Sequence, residues 1–144
     1  MSIYADTSVL VSYYLSDANS TRANELLNSL SEPLIFTRLH RLEFGNALEL
    51  GIFRGNHTRS QAQESWNDLV TDIRAGRLQR AGVNWPSAIR TATLMSRQFS
   101  AKIGSRSLDL LHVAAARALN IADFLSFDLR QSELARAVGL RQLG

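Results

Sequence analysis

Ile3-Tyr4-Ala5-Asp6-Thr7-Ser8-Val9-Leu10-Val11 is the stretch from which the rest of the chain is read. Three β-prone residues run into an aspartate. Thr7 or Ser8 then stands where a helix cap belongs, ahead of Val9, Leu10, Val11 and Tyr14. The run is too short for periodicity to decide, but its apolar character reads as a buried parallel strand followed at once by a short helix. The same pattern repeats outward. A helix over 19–30 is broken at Glu32-Pro33, and Leu34-Ile35-Phe36-Thr37 is a second apolar strand. A helix from about Leu39 to Phe53 stops at Gly55-Asn56. Another spans 58–75, capped by Thr58 and followed by Gly76. Residues 77–83 hold a third short strand. Pro86 suits the first turn of a further helix, and Lys102-Ile103-Gly104-Ser105-Arg106 reads as a basic loop. Ser107 then caps the most apolar helix, LDLLHVAAARAL. Phe124-Leu125-Ser126 is a last strand, and Asp128 with Gln131 resembles a capping box for a helix closed by Gly139. Short strands alternating with helices predict a single α/β domain over residues 1–144, a central short-stranded parallel sheet flanked by helices.

Composition agrees with one globular domain: 144 residues, 45% hydrophobic and 20% charged. Cysteine is absent, which excludes a disulfide scaffold, a thiolate zinc site and a cysteine nucleophile, and suits a reducing, cytoplasmic setting. No apolar run approaches the roughly 20 residues that span a bilayer. The N-terminus lacks a basic region and carries Asp6 before its apolar stretch, so no signal peptide is expected. The net charge is +3, and the basic side is 15 arginines with Lys102 alone. Arginine offers phosphate a planar fork of donors, which is compatible with nucleic-acid contact; a charge of +3 is also ordinary for a globular chain.

In parallel sheets, ligands bind beyond the carboxyl ends of the strands. Four carboxylates are predicted near that edge: Asp6 after the first strand, Glu43 early in the helix after the second, Asp109 in the first turn of the apolar helix, and Asp128 after the last strand. Clustered carboxylates repel, and desolvating them is costly. A divalent cation relieves both, and hard oxygen ligands favour Mg²⁺ or Mn²⁺ over zinc. Each carboxylate also has a purely structural reading. Asp6 and Asp128 suit turns and caps, Asp109 suits a helix N-terminus, and Glu43 suits a solvated helix face. Four such roles need not converge on one edge. Ser8 is a candidate partner for Asp6, or a cap. Asn46, one turn from Glu43, is a candidate to orient a carboxylate or water, or a plain surface residue. His112 reads as a satisfied core or rim residue, while His40 and His57 show no pattern. Trp66 and Trp85 read as core.

These motifs resemble the PIN-domain family, and within it the VapC-like ribonuclease toxins of toxin–antitoxin pairs. The resemblance rests on Ile3-Tyr4-Ala5-Asp6-Thr7-Ser8, Glu43-Phe44-Gly45-Asn46-Ala47, Arg106-Ser107-Leu108-Asp109-Leu110-Leu111-His112-Val113-Ala114-Ala115-Ala116 and Phe124-Leu125-Ser126-Phe127-Asp128, in that order along the whole chain. It implies an α/β/α domain and an Mg²⁺- or Mn²⁺-dependent endoribonuclease with Asp6, Glu43, Asp109 and Asp128 as the acidic quartet. Ser126 stands where the family often has threonine. The resemblance also implies a homodimer and a VapB-like antitoxin that blocks the site. Lys102, Arg106 and Arg130 are candidate contacts to RNA phosphates, each with a solvated-surface alternative.

Three other functions remain open on sequence. One is a PIN nuclease of RNA maturation or DNA ends. Another is a nucleic-acid-binding, regulatory module that does not cleave. The last is a metal-dependent phosphatase, against which Ser8 occupies the second acidic position of an Asp-x-Asp pattern. Val9, Leu10, Tyr13 and Tyr14 with Leu48, Ile52 and Phe53 exceed what one core face needs, which suggests an interface or core packing on two sides.

Overall fold

β1 (Ile3–Ala5), β2 (Leu34–Phe36), β3 (Leu78–Arg80), β4 (Asp123–Leu125) and β5 (Arg141–Leu143) form one parallel sheet in the order β3-β2-β1-β4-β5. These assignments come from a computed structural model, which describes residues 2–144. Each strand has only three residues, yet in β1, β2 and β4 the period of two is intact. Ile3 and Ala5, with Leu34, Phe36 and Leu125, face one layer of core. Tyr4, Ile35 and Phe124 face the other. A sheet apolar on both faces must be covered twice, which is why the inner strands β1 and β2 carry no polar alternation, whereas the edge strands β3 and β5 do carry polar residues.

The first layer holds α1 (Thr7–Tyr14), α2 (Ser20–Ser29), α3 (Arg38–Phe53) and α4 (Arg59–Arg74), which contribute Val9, Leu10, Leu27, Phe44, Leu48, Ala62 and Leu69. The second holds α5 (Trp85–Met95), α7 (Ser107–Ala118) and α8 (Leu129–Ala137), through Ala88, Met95, Leu110, Val113 to Ala116, Leu134 and Ala135. A π-helical turn (Ser96–Ser100) joins α5 to α6 (Ala101–Ile103). Most of the surplus apolar residues are therefore core, all of them in the first layer. Phe53, 87% exposed, and Leu42, 68% exposed, remain uncovered on α3. Trp66 packs on Phe44 and Trp85 against the second core, as read from the sequence. Among the described residues, no helix is long and apolar enough to cross a membrane.

Several local expectations are corrected. Neither Thr7 nor Ser8 caps α1; Asp6 occupies the N-cap position and makes no side-chain cap bond. Ser107 is the first residue of α7, behind Arg106. Lys102 and Ile103 continue a helix, and the turn comes at Gly104 with φ of 78°. The capping box at α8 is half made: Asp128 accepts from Gln131 N at 3.0 Å, but the Gln131 side chain turns to Ser126. Strand β5 was not foreseen. It is an edge strand of Arg, Gln and Leu, held in register by the two-toothed pair of Arg141 on Asp123 at 2.6 and 2.8 Å.

Candidate metal and nucleic-acid site

The chain runs β1, β2, β3 towards one edge and returns to place β4 on the other side of β1. That reversal opens a crevice at the carboxyl ends of β1 and β4. Asp6 follows β1, and its backbone N–H still pairs with Leu125 O at 2.9 Å, so the strand ladder itself fixes where the side chain leaves. Asp128 follows β4 by way of Ser126. The buried Ser126 hydroxyl donates to Gln131 Oε1 at 2.7 Å and accepts from Asp128 N at 3.1 Å, which shapes that turn. Asp109 lies in the first turn of α7, and Glu43 lies in the second turn of α3. Both helices have their N-termini at this edge of the sheet.

The four carboxylates fall into two pairs, each spanned by a cationic or N–H group. Arg106 Nε donates to Asp109 Oδ2 at 3.0 Å, and its Nη2 lies 3.6 Å from Asp128 Oδ2. His112 Nε2 bonds Glu43 Oε1 and lies 3.8 Å from Asp6 Oδ1. Thr7 Oγ1 donates to the same Glu43 oxygen at 2.8 Å, and Ser8 Oγ donates to Asp6 Oδ2. Burial pushes the Asp109 carboxyl above its usual value; Arg106 opposes this, and the charges of Asp6 and Asp128 add to it. Glu43 goes the other way. Burial acts to raise it, but the hydrogen bonds from His112 and Thr7 together hold it below the usual carboxylate value.

Among the described residues, no three His, Asp or Glu side chains are grouped to hold a metal ion as they stand. The donor chemistry is nevertheless that of a hard divalent cation: carboxylate oxygens only, in a chain without a thiol, with like charges close enough to raise Asp109. Arg106, which bridges Asp109 and Asp128, has a side chain 73% exposed and free to leave.

The supporting residues divide. Ser8 and Ser126 serve Asp6 and the Asp128 turn. Asn46 makes no hydrogen bond to Glu43 among the described residues; it lines an adjoining open groove of about 1060 Å³ with Arg38, Arg41, Trp66 and Arg80. Of the basic candidates, Arg106 is engaged with the carboxylates, whereas Lys102 is exposed and Arg130 is exposed beside Gly104. Thr7 and Tyr4 are site residues that the sequence reading misses, and it gives His112 only a core or rim role. It is core, at 0% exposure, and it also reaches the site. The signal was its place one turn after Asp109, on the helix face that carries the aspartate.

A family model described as "PIN domain" matches residues 3–137. No curated protein sequence matches the chain. Solved structures that share its fold include the following three. The sarcin–ricin loop cleaving toxin VapC20 of Mycobacterium tuberculosis is 18% identical, with 98% of each chain covered and a TM-score of 0.67. FitAcB of Neisseria gonorrhoeae is 16% identical, covering 99% of this chain and 96% of that one, at 0.64. VapBC2 of Rickettsia felis, bound to a DNA fragment from its promoter, is 16% identical, covering 99% and 98%, at 0.61.

Proposed function

Since the chain belongs to the PIN-domain family, we propose that it is a divalent-metal-dependent endoribonuclease, the toxin of a toxin–antitoxin pair. The observation that carries this reading is the gathering of Asp6, Glu43, Asp109 and Asp128 around the crevice where the sheet reverses direction, joined by two bridging side chains. Such a site suits hydrolysis of a phosphodiester. An Mg²⁺ or Mn²⁺ ion, when held there by these carboxylates, would supply charge neutralisation at phosphorus and a water of lowered pKa. Asp6 and Asp109 are its main ligands, and Ser8 holds the Asp6 carboxylate in place. Glu43 and Asp128 complete the oxygen shell or orient the attacking water. Water adds to phosphorus on one side, and the P–O bond to the leaving ribose oxygen breaks on the other.

Lys102 and Arg130, with Arg106 once it leaves the carboxylates, supply cationic contacts to flanking phosphates. Support for a toxin comes from the three structural relatives, two of which carry VapC or VapBC names and one of which was solved with promoter DNA. The partners in this reading are a VapB-like antitoxin and a second copy of the chain, the latter suggested by the exposed Leu42 and Phe53 of α3. The test is cleavage of total bacterial RNA by antitoxin-free protein with Mg²⁺, Mn²⁺ or EDTA, beside Asp6→Asn and Asp109→Asn. Discrete cuts that need metal and vanish in both variants support the reading. No cutting by folded protein in either metal moves the weight to a non-cleaving regulatory module.

A further inference from the structure

The two carboxylate oxygens of Glu43 are treated differently. Oε1 receives both Thr7 Oγ1, at 2.8 Å, and His112 Nε2. Oε2 has no hydrogen-bond partner among the described residues. The imidazole that holds Oε1 is itself held from behind: Tyr4 OH lies 2.7 Å from His112 Nδ1, and both side chains are wholly buried. A tyrosine phenol is protonated at neutral pH, so Tyr4 is the donor of this pair. With Tyr4 O–H given to Nδ1, the ring carries its proton on Nε2 and donates it to Glu43. Thr7 Oγ1, 3.2 Å from Nε2, then spends its own proton on Glu43. Every donor and acceptor in the chain Tyr4–His112–Glu43 has one consistent assignment.

The placement of the three residues makes this a device of the fold rather than a surface contact. Tyr4 lies on β1, two residues before Asp6. His112 lies on α7, three residues after Asp109. Glu43 lies on α3. One imidazole therefore ties the three elements that carry Asp6, Asp109 and Glu43. Its Nε2 lies 3.8 Å from Asp6 Oδ1, between that carboxylate and Glu43. Tilted packing of its ring on His40, at 4.9 Å between centroids, and edge contact with Tyr4, at 5.6 Å, leave it no room to turn.

We infer that His112, oriented by Tyr4, is a positioning residue that anchors Glu43 Oε1 and leaves Oε2 to face a divalent cation in the crevice. The inference rests on the proposed metal-binding role of Glu43. Partners of this kind fix ligand orientation, and their loss weakens metal binding by about 10–100-fold. The opposite role is also physically coherent: an N–H between two carboxylates that merely fills the cation's place. Removing it would then tighten binding.

Mn²⁺ binding to the intact antitoxin-free protein, read from the free-ion electron paramagnetic resonance signal, separates the two. The measurement needs no RNA and no turnover, and thermal melts report folding in parallel. Glu43→Gln and His112→Leu are expected to weaken Mn²⁺ binding about tenfold or more. His112→Gln, which keeps an N–H donor within reach of Glu43, restores most of it. Tyr4→Phe, which removes one oxygen and leaves the ring, weakens binding about threefold or more. A melting temperature lowered with Mn²⁺ affinity unchanged would mark a purely structural histidine and overturn the inference. So would tighter binding by His112→Leu while Glu43→Gln weakens it, an outcome that leaves the metal reading standing. Wild-type protein that binds no Mn²⁺ saturably, or whose binding ignores Glu43→Gln, overturns both. If His112→Leu does not fold, Tyr4→Phe decides: unchanged affinity is the refuting result.

Discussion

His40 makes the stability of this domain fall in mild acid, by an amount the structure sets. The ring is fully buried. Its Nε2–H donates to Ala5 O at 2.7 Å, and its Nδ1 accepts from Thr37 N at 3.1 Å, closing a capping box at the start of α3. Both nitrogens are thus used by the neutral form. Burial above all lowers the His40 pKa from 6.5 to about 3. The unfolded chain keeps the ordinary value. Between these two values the unfolded state binds a proton that the folded state refuses, so stability is fully present above pH 6.5 and is lost as pH falls. From pH 7.5 to pH 5.0 the loss is about 2 kcal/mol, from roughly 1.4 kcal/mol per pH unit below the unfolded pKa. That figure is insensitive to the folded value as long as it stays well under 5. Urea unfolding at the two pH values measures it, with His40→Gln as the control. Glutamine at this third helical position keeps the reciprocal cap but does not titrate. The variant loses stability at neutral pH, because Ala5 O is left without its donor, about 1–3 kcal/mol. Its further loss down to pH 5.0 is expected to be about 2 kcal/mol smaller than that of the wild type. Equal losses in the two proteins would refute the assignment of a neutral, twice-bonded His40.

Asp109→Asn should abolish cleavage yet raise the melting temperature at pH 7.5, since the folded environment disfavours the Asp109 charge. The advantage shrinks as pH falls towards the raised carboxyl value, where the wild-type group is protonated by the fold itself. Arg106→Ala should tighten Mn²⁺ binding about 2–5-fold, the worth of an exposed ion pair, while weakening RNA retention on a filter; unchanged Mn²⁺ affinity would count against Arg106 as the group a cation displaces. Gly104→Ala, at φ of 78° with only Arg130 near its new methyl at 3.9 Å, should cost about 1 kcal/mol in urea unfolding through backbone strain alone. Phe53→Glu should convert any dimer to monomer in sedimentation without lowering the melting temperature, because the ring is 87% exposed in the single chain.

The sheet was legible because β1 and β2, though three residues long, are wholly apolar, and because β2, β3 and β4 are each followed by a capped or proline-marked helix. Thr58 with Gln61 closes both halves of a capping box, and Gly76 takes the positive φ foreseen for it. Strand β5 was not legible, since what makes Arg141-Gln142-Leu143 a strand is the Asp123 carboxylate and a free sheet edge, neither local. The convergence of the four carboxylates on one edge followed from strand ends and helix starts alone. What holds them did not. Arg106 contacts Asp109 within one helical turn, but its reach to Asp128 depends on how α7 meets β4. The Tyr4–His112–Glu43 chain joins residues 108 and 69 positions apart, and no spacing rule in a single sequence shows such a contact.

The two bridging groups also differ in a way that bears on how the site is loaded. A site of four carboxylates has to fold before any cation reaches it, and unrelieved repulsion there would oppose folding. Arg106 and His112 each relieve one pair. Arg106 does so from solvent, on a side chain 73% exposed, through contacts of the kind worth under about 1 kcal/mol. His112 does so from the core, with no exposed surface and both ring nitrogens committed. On the proposed metal-binding reading, an incoming cation would therefore displace the arginine cheaply and the histidine hardly at all. On this reasoning the Asp109–Asp128 side opens on loading while the Glu43–Asp6 side stays as folded. Nitrogen-15 spectra recorded with Mg²⁺ should then move the Arg106 Nε signal strongly and leave the His112 ring nitrogens near their starting positions. Large shifts at His112 with Arg106 still would reverse the order of loading argued here.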